Sequence, residues 1–110
     1  MTKARIAIFA SGTGSNAINL IHFFKNHPSI EVGFVMSNKK NAPVLSSVEK
    51  LGVSVFYYSN EQVSDGNFLT RICQENGVDW IILAGYLRLI PSELIQSYNN
   101  RMINLHPSLL

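Results

Sequence analysis

Arg5-Ile6-Ala7-Ile8-Phe9-Ala10-Ser11-Gly12-Thr13-Gly14-Ser15-Asn16 joins a short apolar run to a loop with two glycines. Ala17, Leu20, Ile21 and Phe24 then form an apolar stripe at helical spacing. A brief apolar run bounded by glycine reads as a buried strand, and apolar residues at i, i+3, i+4 and i+7 read as a helix. Strand, glycine turn and helix open a βαβ unit, so this stretch decides the fold class: α/β with a parallel sheet.

The same alternation runs outward along the chain. Arg5 to Ala10, Val32 to Ser37, Val53 to Tyr58, Trp80 to Ala84 and Met102 to Leu105 are the five predicted strands. Their near-continuous apolar character, clearest in Ile81-Ile82-Leu83-Ala84, fits strands covered by helices on both faces. The expected architecture is therefore a Rossmann-like open parallel sheet. Val44, Leu45, Val48 and Leu51 predict a second helix ending at Gly52. Phe68, Leu69, Ile72 and Cys73 predict a third over 67–76, with Asp65 as its N-cap and Gly77 beyond its end. Pro91 suits the first turn of a short helix through Leu94 and Ile95. Pro107-Ser108-Leu109-Leu110 ends on two apolar residues just past a strand, which reads as an interrupted domain.

Composition narrows the functional classes. The 110 residues suffice for one domain, and 46% hydrophobic against 15% charged residues argues for a packed core over disorder. Nine basic and seven acidic residues are scattered, with Lys39-Lys40 the one basic pair. Nucleic acid would call for a clustered basic face, so none is expected as a partner, although a small phosphorylated ligand fits. Cys73 stands alone, which excludes an internal disulfide and a multi-cysteine metal site and suits a reducing, cytoplasmic setting. Ile6 to Ala10 is too short for a signal or membrane segment.

Two motifs carry chemistry. The loop Ser11 to Asn16 follows a strand and opens a helix, where backbone N–H groups can face an anion; phosphate is its natural occupant, and a purely structural turn is the alternative. Ser15 and Asn16 could bond that phosphate or cap the helix. With Ala17 the loop also reads G-x-G-x-x-A, a dinucleotide fingerprint. That reading expects an acidic residue at the end of the second strand, where Ser37-Asn38 stands, leaving only Lys39 and Lys40 to meet an NADP phosphate.

The second motif is Asn104-Leu105-His106, which places an amide and an imidazole on one sheet face at a strand's carboxyl end. Asn104 could donate to the oxyanion of a tetrahedral intermediate while His106 moves protons, a pairing suited to acyl transfer. The alternative is a buried pair satisfying nearby backbone groups. His22 and His27 lack such a partner and read as surface residues. Cys73, on an apolar stripe, reads as an inert core thiol, and Trp80 as packing. Gly85 to Ile90 could line a pocket for a flat ring or pack under the next helix.

Three segments in order resemble the folate-dependent glycinamide ribonucleotide formyltransferase family: Ser11 to Asn16, Leu83 to Ile90, and Ile103 to Leu110. The last is shared in part with other users of formyltetrahydrofolate, including the methionyl-tRNA enzyme and a deformylase; SGxGSN discriminates among them. The resemblance spans the whole chain and identifies it as the amino-terminal part, residues 1–110, of a single formyltransferase domain whose carboxyl-terminal part is absent. It implies formyl transfer from 10-formyltetrahydrofolate to the amine of glycinamide ribonucleotide, in purine biosynthesis, without a metal.

By the same resemblance, Gly14, Ser15 and Asn16 would hold the substrate phosphate. Leu87, Arg88, Leu89 and Ile90 would line the folate pocket, Asn104 would contact the formyl group, and His106 would assist proton transfer. Family members use a further aspartate downstream of residue 110, so the 110 residues alone are expected to be inactive. An arginine that some members place before the third helix is replaced here by Ser64-Asp65-Gly66-Asn67.

Overall fold

The computed structural model describes residues 3–105. Five strands form one parallel sheet: β1 (Ala4–Phe9), β2 (Ile30–Ser37), β3 (Ser54–Tyr57), β4 (Trp80–Ala84) and β5 (Met102–Leu105). Their order is β3-β2-β1-β4-β5. Helices α1 (Ser15–Phe24), α2 (Pro43–Glu49), α3 (Asn60–Ser64), α4 (Gly66–Glu75) and α5 (Ser92–Ser97) fill the crossovers.

Side-chain alternation along the central strands divides the core in two. Ile6, Ile8, Val35, Ile82 and Ala84 face Ala17 and Ile21 of α1 and Val44 and Val48 of α2. Ala7, Phe9, Phe34, Met36, Ile81 and Leu83 face Val63 of α3, Leu69 and Cys73 of α4, and Leu94 of α5. With helices on both faces, β1 and β4 are buried along most of their length, as their apolar runs require. The outer strands differ: β3 and β5 each have exposed positions, so continuous burial is a property of the inner strands only.

The predicted elements are all present, with shifted ends. Ala10 lies past β1 and Val53 precedes β3, while β2 begins two residues earlier than the apolar run, at Ile30. The second helix stops at Glu49, and Leu51 falls off its stripe and is exposed. Gly52, at φ 81°, closes the following turn instead of the helix itself. Asp65 caps α4 as expected, its side chain accepting from Phe68 N–H. Pro91 stands at the N-cap of α5 with extended backbone, one position before the first helical turn.

Helix α3 was not anticipated. Its five residues are too few for apolar periodicity to show, but Ser59 and Gln62 form a capping box: each side chain bonds the other residue's backbone N–H.

Candidate active site

The strand order turns the chain outward in both directions from the boundary of β1 and β4. The chain leaves β1 toward α1 on one face and leaves β4 toward α5 on the other, so a crevice opens at their carboxyl ends, the switch point of an open α/β sheet.

One wall is the loop of residues 11–16. Gly14 is the N-cap of α1 in left-handed backbone, φ 77°, and no side chain caps this helix. Helical bonding begins with Ile18 N–H to Gly14 O, so helix geometry leaves the N–H groups of Ser15, Asn16 and Ala17 without intrahelical partners. No acidic residue occupies that first turn. A hollow of about 200 Å³ lies there, lined by residues 12–16 with Ala84 and Gly85. Unspent donors, a positive helix end and a hollow in front of them are the features that an anion site requires.

The loop after β4 forms the next wall, and it divides its side chains between two roles. Tyr86 and Ile90 pack against the α4–α5 core, with the Tyr86 ring 5.5 Å from that of Phe9. Leu87 and Leu89 project outward, 71% and 93% exposed, and Arg88 is exposed between them. The packing alternative thus holds for Tyr86 and Ile90, while Leu87, Arg88 and Leu89 are left to solvent. The Tyr86 hydroxyl is buried with no hydrogen-bond partner among the described residues. Burial pushes its pKa up to about 12, with Arg88 acting in the opposite direction. Arg88 Nη2 lies 3.4 Å from Ser64 Oγ, which brings a guanidinium beside the stretch where Ser64 to Asn67 stands.

Asn104 lies opposite Leu83 in the β4–β5 register. Met102 packs toward the α4–α5 side and Leu105 toward the α1–α2 side, so alternation directs Asn104 to the same face as Met102. Asn104 is exposed in this chain. His106 lies outside the described residues. The 11–16 loop, the 85–90 loop and Asn104 therefore stand at the carboxyl ends of three adjacent strands.

Sequence reasoning missed a polar network beneath these loops. Ser11 Oγ donates to Asn38 Oδ1 at 2.7 Å and accepts from Leu87 N–H at 2.9 Å, while Asn38 Nδ2 donates to Asn60 Oδ1 at 2.9 Å. The signal available was a Ser-Asn pair ending an apolar strand. The network also weakens the dinucleotide reading, since the side chain of Asn38 at the end of β2 is buried and committed to Ser11 and Asn60.

Other polar and titratable residues lie away from this crevice or serve packing. Asp79 accepts from Arg5 N–H at the opposite end of the sheet. His22 is exposed, whereas the half-buried His27 uses Nδ1 to accept from Ser29 and Ile30 N–H and so organises the turn into β2. Cys73 is fully buried, and burial pushes its thiol up to about 12, which makes it a core group and no nucleophile. Trp80 packs against the α1–α2 core. A hollow of about 230 Å³ near Lys3, Lys25 and Glu31 belongs to the amino-terminal ends of the strands, away from the crevice. Among the described residues, no group of three or more His, Cys, Asp or Glu could hold a metal ion, and no helix is long and apolar enough to cross a membrane.

Residues 4–110 match the Formyl transferase family. The chain belongs to that family. This formyl transferase chain is 35% identical to the chloroplastic phosphoribosylglycinamide formyltransferase of Arabidopsis thaliana, the match covering 98% of this chain and 39% of that one. It is 32% identical to the human trifunctional purine biosynthetic protein adenosine-3, covering 98% of this chain and 11% of that protein. The crystal structure of phosphoribosylglycinamide formyltransferase from Brucella melitensis superposes with a TM-score of 0.88 at 31% identity, covering 99% of this chain and 59% of the other. The formyl transferase chain thus spans less than two thirds of the length of each.

Proposed function

We propose that the protein containing this chain is a phosphoribosylglycinamide formyltransferase, moving a formyl group from 10-formyltetrahydrofolate to the amine of glycinamide ribonucleotide in purine biosynthesis. The observation that carries this reading is the anion hollow at the start of α1 lying beside the ends of β4 and β5. That arrangement suits a phosphorylated substrate anchored at one end with its reacting group held some distance away. Support also comes from relatives that bear this enzyme's name.

In this reading residues 1–110 form the amino-terminal part of a single domain. Gly14, Ser15 and Asn16 hold the phosphate through backbone N–H groups and the two polar side chains. Leu87, Arg88, Leu89 and Ile90 border the folate, with Leu87 and Leu89 offering apolar surface. The neutral amine attacks the formyl carbon, and Asn104 donates to the oxygen as it gains charge. The amine's proton is passed on with the help of His106, and the folate nitrogen leaves protonated. Donors placed for the tetrahedral stage lower the barrier more than they favour the ground state. No metal is needed, and a cytoplasmic setting suits the solitary buried thiol.

The test is a formyl-transfer assay on the full-length protein, following tetrahydrofolate release with and without glycinamide ribonucleotide. Release that depends on the ribonucleotide is expected. Formate release without it would instead indicate a deformylase, and no turnover by folded protein would remove the transferase reading. The 110-residue chain assayed alone is expected to be inactive.

A further inference from the structure

Only three polar residues of the described chain are buried: Ser11, Ser37 and Asn38, at or just beyond the carboxyl ends of β1 and β2. Burying such groups is costly unless every donor and acceptor is matched, so their concentration under the crevice asks for a reason. The hydrogen bonds run in one consistent direction. Leu87 N–H can only donate, so it takes a lone pair of Ser11 Oγ, and the Ser11 hydroxyl proton turns to Asn38 Oδ1. That orients the Asn38 amide with Nδ2 toward Asn60 Oδ1, at the first residue of α3. Ser11 holds the 85–90 loop a second time, its own N–H donating to Gly85 O at 3.3 Å.

The two loops joined here differ in how else they are held. The 11–16 loop has further supports, including Ile18 N–H to Gly14 O, Val44 N–H to Gly12 O and the close approach of Gly14 to Val44. The 85–90 loop exposes Leu87, Arg88 and Leu89, and its outer half has few anchors other than Ser11.

We infer that Ser11, oriented by Asn38, is a positioning residue that sets the 85–90 loop at a fixed height against the anion-binding loop, and so governs donor binding. The inference rests on the proposed formyl-transfer reading, in which the 85–90 loop borders the folate. Loss of the Ser11 hydroxyl frees Leu87 N–H and loosens that loop, while the anion loop keeps its remaining supports.

The experiment compares wild type, Ser11→Ala, Asn38→Leu and Asn38→Asp in the full-length protein, with thermal melting to verify folding. Ser11→Ala and Asn38→Leu should each raise KM for 10-formyltetrahydrofolate about five- to tenfold, the size expected for one hydrogen bond, with KM for the ribonucleotide within about twofold. Asn38→Asp keeps an acceptor for Ser11, and Asn60 can turn its amide to donate to the new carboxylate, so its donor KM should stay within about threefold of wild type. In parallel, exchange of the Leu87 amide hydrogen should quicken in Ser11→Ala. Equal changes in both KM values, no change in either, or Asn38→Asp as impaired as Asn38→Leu would overturn the inference. A wild type without formyl transfer would refute the parent reading alone. Leu87 exchange would then decide the clamp by itself, with unchanged protection in Ser11→Ala counting against it.

Discussion

Gly14 sits so close against Val44 that a β-carbon at residue 14 would collide with the Val44 side chain, and its backbone lies in the left-handed region. The same residue therefore lets the loop turn into α1 and lets α2 approach it. Gly14→Ala meets both a strained φ and a steric clash, and should cost about 2 kcal/mol or more of stability. Urea denaturation of the variant against wild type measures this. An unchanged midpoint would show that α2 yields easily.

Asn104, exposed beside the end of β4, is expected to act on the transition state more than on binding. Asn104→Ala in the full-length protein should lower kcat about a hundredfold or more, with ribonucleotide KM little changed. Steady-state kinetics with each substrate varied in turn would show it. A rise in KM at constant kcat would reassign Asn104 to binding.

The Tyr86 hydroxyl is buried without a partner among the described residues, while its ring packs against Phe9. Tyr86→Phe removes a desolvated polar group and keeps the ring, so stability should hold or rise by up to about 1 kcal/mol. A clear fall in melting temperature would mean that the hydroxyl has a partner in the full-length protein.

Burial pushes the Cys73 thiol and the Tyr86 and Tyr98 phenols each up to about 12, from 9.0 for the thiol and 10.0 for the phenols. Tyr98 also donates to Val78 O at 2.8 Å, a bond that its neutral form makes. These groups keep their protons in the native state and lose them on unfolding once the pH passes 9 to 10. The native chain then binds more protons than the unfolded one, so stability falls as pH rises toward about 12. Each such group steepens the loss by up to about 1.4 kcal/mol per pH unit within its window. Urea midpoints from about pH 8 to about pH 11 test the sign. Cys73→Ala should flatten the first part of the curve.

At the far end of the sheet, Arg5 Nε donates to Asn76 O at 2.7 Å and Arg5 Nη1 pairs with Glu31 Oε2 at 2.8 Å. Both charged side chains are more than a third exposed, so solvent screens the pair and Glu31→Ala should cost less than about 1 kcal/mol. Arg5→Ala also loses the Asn76 bond and the packing of its stem over Gly33, and should cost more, about 1 to 2 kcal/mol. Neither should alter substrate KM, since both residues lie away from the crevice.

The strands, four of the five helices and the glycine loop were legible because each rests on a local pattern. Asp65 capping α4 and Gly14 at φ 77° are choices that neighbouring residues dictate. Helix α3 was legible in principle through Ser59 and Gln62, but five residues give no periodicity to notice. Leu51 misled because spacing continued the apolar stripe while the backbone had already left the helix at Glu49.

The amino-acid sequence by itself determined the α/β class, the glycine loop that opens α1 and the Asn104 position at the end of β5, since turns, helical spacing and strand alternation act within a few residues. Tertiary structure alone decided that Ser11 meets Asn38 and Leu87, residues 27 and 76 positions away. It also decided that Asn38 is unavailable to a dinucleotide and that the 85–90 loop divides its side chains between core and solvent. Those outcomes follow from which strands become neighbours and in what register, and that choice is made by burying two apolar faces of one sheet at once, which no single segment encodes.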